Sequence, residues 1–206
     1  MPQTSLGRTK YPDQAEIVSA DPLFDWIDRR FLRADPFAFG NEENFRQFAL
    51  ACSSSFGVDP NGVFCTGSGA IGLSLNPEKV ADGQLKEFSE TSDLDIALIS
   101  EVHFESAWRN LREKSHPALV PEAEPSLRDA LEAQRVRFFD GAILANRLAP
   151  YLEFGADWLT KNVQIEESAA IALNREVSVH YWIYRDYWSV RSYVANSILE
   201  CRSLLL

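Results

Sequence analysis

Asp93 and Asp95 stand two residues apart in the run Asp93-Leu94-Asp95-Ile96-Ala97-Leu98-Ile99, which reads as a strand with its acids at the start. Side chains at i and i+2 of a strand point to the same face. Two carboxylates placed that way can share divalent cations, because hard Mg²⁺ takes carboxylate and phosphate oxygens together. Upstream, the short apolar run Val63-Phe64-Cys65 leads into Thr66-Gly67-Ser68-Gly69-Ala70-Ile71-Gly72. A Gly-Ser turn beside the acidic strand brings backbone N–H groups and a hydroxyl close to a triphosphate, and glycine is needed where a Cβ would block the approach. The combination is what a two-metal phosphoryl or nucleotidyl transferase requires.

Gly67 to Gly72 also fits the pattern GxGxxG after a strand, the mark of a dinucleotide site in which the loop opens directly into a helix that holds a pyrophosphate. Here Pro77 and the polar stretch behind it leave little room for a long crossover helix. The acids are also misplaced for that purpose, since they begin their strand where a ribose-binding carboxylate belongs at the far end. The carboxylate–phosphate reading uses more of these features.

The pattern Gly67-Ser68, a further Gly72 and then Ser92-Asp93-Leu94-Asp95 followed by apolar residues resembles the DNA polymerase β-type nucleotidyltransferase superfamily. More narrowly, GSGAIGLSLNPEK and SDLDIALIS, with Phe104 and Trp108 after them, resemble stand-alone bacterial members, as do FFDGAILANRLAP and VSVHYWIYRDYWSVRSY. The resemblance implies an α/β (α+β) fold: a small mixed palm sheet, flanking helices and a helical extension. It implies that Gly67 and Ser68 hold the β- and γ-phosphates of a nucleoside triphosphate such as ATP, and that Asp93 and Asp95 hold Mg²⁺ or Mn²⁺. A hydroxyl then attacks the α-phosphorus and pyrophosphate leaves. Ser68, Asp93 and Asp95 are thus the expected catalytic residues. Such bacterial relatives act in antiphage defence, signalling-nucleotide or short-oligonucleotide synthesis, toxin–antitoxin pairs or antibiotic modification, so the acceptor is open among a nucleotide or short oligonucleotide, a protein and a small molecule. A partner protein encoded nearby is one expectation from that range.

The superfamily pattern adds a third carboxylate from a later strand. The β-branched and aromatic run Val177–Tyr184 is the candidate strand, and it carries no acid; His180 lies on it, Asp186 just beyond it, and Asp140 in an expected helix. The third ligand is His180, Asp140, Asp186 or absent. Its absence motivates a second reading, a catalytically degenerate domain that binds a nucleotide or a partner protein as a sensor or antitoxin.

The elements that must position these residues follow from periodicity. Leu23, Phe24, Ile27 and Phe31 recur at helical spacing in a lead-in over 1–40. Asn41 with Glu42 and Glu43 is a helix start, and Phe45, Phe48, Ala49 and Cys52 give that helix one apolar face. Gly57 and the segment 59–62 end it. A nucleotidyltransferase core is expected over 41–116, with a loop over 76–92 and a helix marked by Phe104, Trp108 and Leu111. Pro117, Pro121 and Pro125 mark a boundary, beyond which 117–206 is expected to be helical apart from the strand 177–184 and a closing helix bearing Val190, Tyr193, Val194 and Ile198. Ser126 with Asp129 resembles a capping box.

Other residues admit two roles. Trp182, Tyr184, Tyr187, Trp188 and Tyr193 suit either a core or a base-stacking platform. Lys79 is a solvated lysine or a phosphate contact, and Arg128, Arg135 and Arg137 form a salt-bridged helix face or an acceptor site. His103 is expected at the surface of a helix start, and Cys65 is expected to be a small buried residue.

The whole is 206 residues with thirty acids against twenty Lys plus Arg, a formal charge of −10. That balance repels phosphate backbones and argues against a long nucleic acid as ligand. Three cysteines without metal-like spacing suggest a reducing compartment. No apolar stretch approaches membrane length, so a cytoplasmic protein is expected, with no membrane partner.

Overall fold

The alternation Leu94, Ile96, Leu98 against Asp95, Ala97, Ile99 makes a strand that buries one face completely and leaves the other mixed. In the computed structural model, which describes residues 10–120, 122 and 124–205, this strand lies inside a four-stranded sheet. In chain order the elements are α1 (Gln14–Ser19), α2 (Leu23–Trp26, continued by a π-helical turn, Ile27–Phe31), α3 (Glu42–Phe56), β1 (Val63–Thr66), α4 (Gly67–Ile71), β2 (Leu94–Ile99), α5 (Glu101–Ser115), α6 (Pro125–Phe139), β3 (Ala142–Leu144), α7 (Ala145–Leu148), α8 (Gly155–Leu173), β4 (Val179–Tyr184) and α9 (Tyr187–Leu205). The sheet order is β1-β2-β4-β3, with β1 and β3 antiparallel to their neighbours and β2 parallel to β4. The fold is α+β, as the resemblance implied.

Two layers of helices cover the sheet. Val63, Cys65, Leu94, Ile96, Leu98, Ile143, Val179, Tyr181 and Ile183 face a core shared with α3, α5, α6 and α8. Ala97, Ala142 and Tyr184 face a second core built with α9, α4 and the lead-in helices. The lead-in is fixed to α9 by the Arg202 guanidinium, which donates to the carbonyls of Ile17 at 2.9 Å and Ala20 at 2.7 Å. Residues of all three sequence segments therefore contribute to these cores. Residues 1–9 of the lead-in and Pro121 lie outside the described residues.

Asn41 caps α3 as its sequence demands, accepting from Asn44 N–H at 2.8 Å. Four expectations change. Ser126 and Asp129 form no capping box: α6 starts two residues earlier than that box requires, at Pro125, whose fixed φ suits a first helical position, and the Ser126 hydroxyl donates to Glu124 instead. The helical stretch expected between residue 117 and the later strand is broken by β3. Asp140 is not within a helix but at the C-cap of α6, followed by Gly141 at φ +71°. The later strand starts at Val179 rather than Val177.

His103, in the first turn of α5, is half-buried against the Phe56 and Trp158 rings, and its Nδ1 shares a 2.7 Å hydrogen bond with the Ser100 hydroxyl. Burial and then the nearby Lys161 ammonium push the imidazole below its ordinary 6.5, with Asp157 opposing. A histidine depressed in the folded state contributes stability that is present above the unfolded value and lost as pH falls through the folded one. The urea midpoint of the wild type is thus expected to drop between about pH 8 and pH 5 more than that of His103→Gln. Equal slopes for the two proteins would refute the assignment.

Candidate functional site

Pairing brings the two motifs together. The antiparallel register of β1 on β2 sets Thr66 opposite Asp95, and the Thr66 hydroxyl donates to the Asp95 carbonyl at 3.3 Å. The next residue, Gly67, therefore sits against the Asp95 side chain. Its backbone has φ +58°, and a Cβ built there would lie 2.3 Å from Asp95 Oδ2. Glycine is thus required twice, for the left-handed backbone and for the close approach. Antiparallel pairing of β1 with β2 also excludes a Rossmann unit, which needs parallel strands joined by a crossover helix.

The other glycines of the motif serve packing. A Cβ at Gly69 would crowd Cys65 Sγ and the Leu94 side chain at 3.0 Å, and one at Gly72 would meet the Phe37 ring at 2.9 Å. Cys65 is buried, as expected, and burial holds its thiol far above the ordinary value.

Asp95 is one-third exposed by its side chain. Burial pushes its carboxyl above the ordinary range; His180, the Trp182 side chain and Lys79 pull it back, and the neighbouring Asp93 pushes it further up. Asp93 is exposed, just before β2, and Ser68 is half-exposed on α4. Lys79 reaches this neighbourhood because the chain from Gly72 to Phe88 folds back on itself, closed by Ser74 N–H to Lys86 O at 2.8 Å and Phe88 N–H to Gly72 O at 2.9 Å.

The parallel register of β2 on β4 sets His180 beside Asp95, and their nearest side-chain atoms, His180 Nδ1 and Asp95 Oδ1, are 3.9 Å apart. Asp140 and Asp186 are not brought there. They lie past the other end of β4, an end that is itself about 13 Å along the strand from His180, and there both line a cavity of about 320 Å³ with Arg185. The Asp186 carboxylate is already used there, accepting from Ser189 N–H at 2.7 Å and from its hydroxyl at 2.8 Å.

Of the aromatics, Trp182 and Tyr193 gather on the Asp95 face with ring centroids 5.4 Å apart, and the Arg137 guanidinium lies 5.7 Å from the Trp182 ring. Tyr184 is wholly buried and belongs to the core. Tyr187 instead donates to Asp28, and Trp188 packs on Phe24. The arginine cluster divides likewise: Arg137 turns to the sheet, while Arg135 is exposed beside Glu132.

On the other side, Asp93 lines an open groove of about 580 Å³ with Glu90, Glu166, Glu167, Arg175 and Glu176. Sequence periodicity gave no signal for this groove, because α8 and the start of β4 meet the acidic strand only through the fold. Among the described residues no group of three or more His, Cys, Asp or Glu side chains is arranged to hold a metal ion. Asp93 and Asp95 still suit Mg²⁺ held jointly with phosphate oxygens, since that ion is commonly bound through one or two carboxylates plus substrate phosphates. Burial chiefly, and the Asp93 charge in addition, raise the Asp95 carboxyl, and a bound cation would offset both.

Among the described residues no helix is long and apolar enough to cross a membrane. No protein family, curated protein or solved structure matches this chain.

Proposed function

We propose that the chain is a Mg²⁺- or Mn²⁺-dependent nucleotidyltransferase, moving a nucleoside monophosphate from an NTP to a hydroxyl acceptor. One observation carries the reading: at the Gly67–Asp95 contact the missing Cβ lets a Gly-Ser turn meet the β2 carboxylate at a solvent-open corner of the sheet, two residues after the exposed Asp93. In this reading Asp93 and Asp95 hold the cation, which neutralises the triphosphate and polarises its α-phosphorus. The backbone and hydroxyl at Gly67-Ser68 approach the phosphates, and Lys79 adds a compact positive charge. The acceptor oxygen bonds to the α-phosphorus, the bond from that phosphorus to the bridging oxygen breaks, and pyrophosphate leaves. The acidic groove beside Asp93 favours acceptors poor in phosphate, a small molecule or a protein side chain over an oligonucleotide.

A second reading is favoured by β4, which offers His180 where the superfamily pattern has an acid. It makes the chain a degenerate nucleotide- or partner-binding domain. Incubation with each α-labelled ribo- and deoxynucleoside triphosphate, with Mg²⁺ or Mn²⁺, separates the two. Labelled product or pyrophosphate release that Asp93→Ala abolishes is expected from the transferase. Nucleotide binding without turnover on any small-molecule, nucleotide or protein acceptor tested supports the binding domain, and absence of both removes both readings.

A further inference from the structure

His180 is the one side chain that the parallel pairing of β2 and β4 sets directly beside Asp95, and it is not buried as an ordinary strand histidine would be. Its side chain is 49% exposed beside the 33% exposed Asp95, so both donors open on the same solvent-accessible corner. Bonds from carboxylate oxygen or imidazole nitrogen to a divalent ion run about 2.0 to 2.2 Å. Donors separated by up to roughly twice that length can share one ion, and Nδ1 and Oδ1 stand 3.9 Å apart. Resting on the nucleotidyl-transfer reading, we propose that His180 is a direct ligand of the cation that Asp95 holds, giving a mixed carboxylate–imidazole site completed by nucleotide phosphate. Imidazole nitrogen is a softer donor than oxygen and shifts preference from Mg²⁺ toward first-row transition ions. The chain therefore favours Mn²⁺ or Co²⁺ over Mg²⁺ with its nucleotide more strongly than an all-carboxylate set would.

The experiment uses the full chain labelled with ¹⁵N-histidine, loaded with Mn²⁺ and α,β-methylene nucleoside triphosphates, and read by pulsed EPR. The nucleotide nitrogens stay ¹⁴N, so a ¹⁵N coupling reports protein imidazole alone. The expected result is a directly bound ¹⁵N that disappears in His180→Gln, together with a fall of about tenfold in the Mn²⁺-over-Mg²⁺ affinity ratio. The thermal midpoint of the exposed-site variant serves as the folding control. If Mn²⁺ binds the wild type and Asp95→Asn removes it, but no ¹⁵N coupling is seen or the coupling survives His180→Gln, the ligand assignment is overturned and the nucleotidyl-transfer reading stands. If Mn²⁺ does not bind with any of the nucleotide analogues, both fall.

Discussion

Asp95→Asn is expected to lower nucleotidyl transfer by at least about 10³-fold, roughly 4 kcal/mol of transition-state stabilisation, while leaving the folded protein as stable as the wild type or more so. The substitution keeps the shape of the side chain and an oxygen that the Trp182 indole can still reach, but removes the negative charge. What it removes is expensive to the fold. Burial and the proximity of Asp93 hold the Asp95 carboxyl above its ordinary value, so the folded chain binds that proton more tightly than the unfolded chain does. The metal-free wild type therefore loses stability as pH rises through the raised value, whereas the amide does not titrate. Stability and activity should thus move in opposite directions, which is the signature of a group kept for chemistry. Turnover measured with α-labelled NTP, alongside thermal midpoints at two pH values, checks both halves. A variant that loses activity and stability together would make Asp95 a structural carboxylate.

The elements that hold this site were legible where the signal is local. β1, β2 and β4 are apolar or β-branched runs next to turn residues, and Asn41 is a cap because its side chain bonds within one turn. Strand periodicity puts Asp95 on β2, but β2 starts at Leu94, so Asp93, expected at the start of the same strand, lies just before it. β3 was not legible, because three residues between two helices carry no periodicity of their own; Ala142, Ile143 and Leu144 become a strand only by pairing with Tyr184, Ile183 and Trp182, some forty residues away. The same limit applied to the third position of the site. His180, Asp140 and Asp186 are equivalent candidates until the parallel register places one beside Asp95 and sends the others past the far end of the strand. Lys79 was ambiguous for a related reason, since its approach depends on a loop that closes by backbone hydrogen bonds over twelve to sixteen residues. The glycines of the motif show the converse: Gly69 and Gly72 look like phosphate-binding residues in sequence, yet their neighbours are Cys65, Leu94 and Phe37.

Gly67→Ala is expected to cost about 10² to 10³ in turnover and a few kcal/mol in stability, and the two losses have separable causes. A left-handed backbone at φ +58° penalises any L side chain by roughly 1–2 kcal/mol wherever it occurs. The second cost is specific, because the added methyl would lie 2.3 Å from Asp95 Oδ2 and 3.1 Å from its Cγ, so one of the two must move. Displacing a reacting group by about 1 Å is enough for a loss near 10²-fold. A double-mutant cycle tells the causes apart. In an Asp95→Ala background the carboxylate is gone and Gly67→Ala should cost only the backbone part, leaving a coupling of about 1–2 kcal/mol between the two positions. Gly67→Ala would then be less harmful to the fold without Asp95 than with it, as measured by urea midpoints of the four proteins. A coupling near zero would mean that Gly67 serves the turn alone, and the contact that joins the Gly-Ser turn to the carboxylate strand would lose its place in the mechanism.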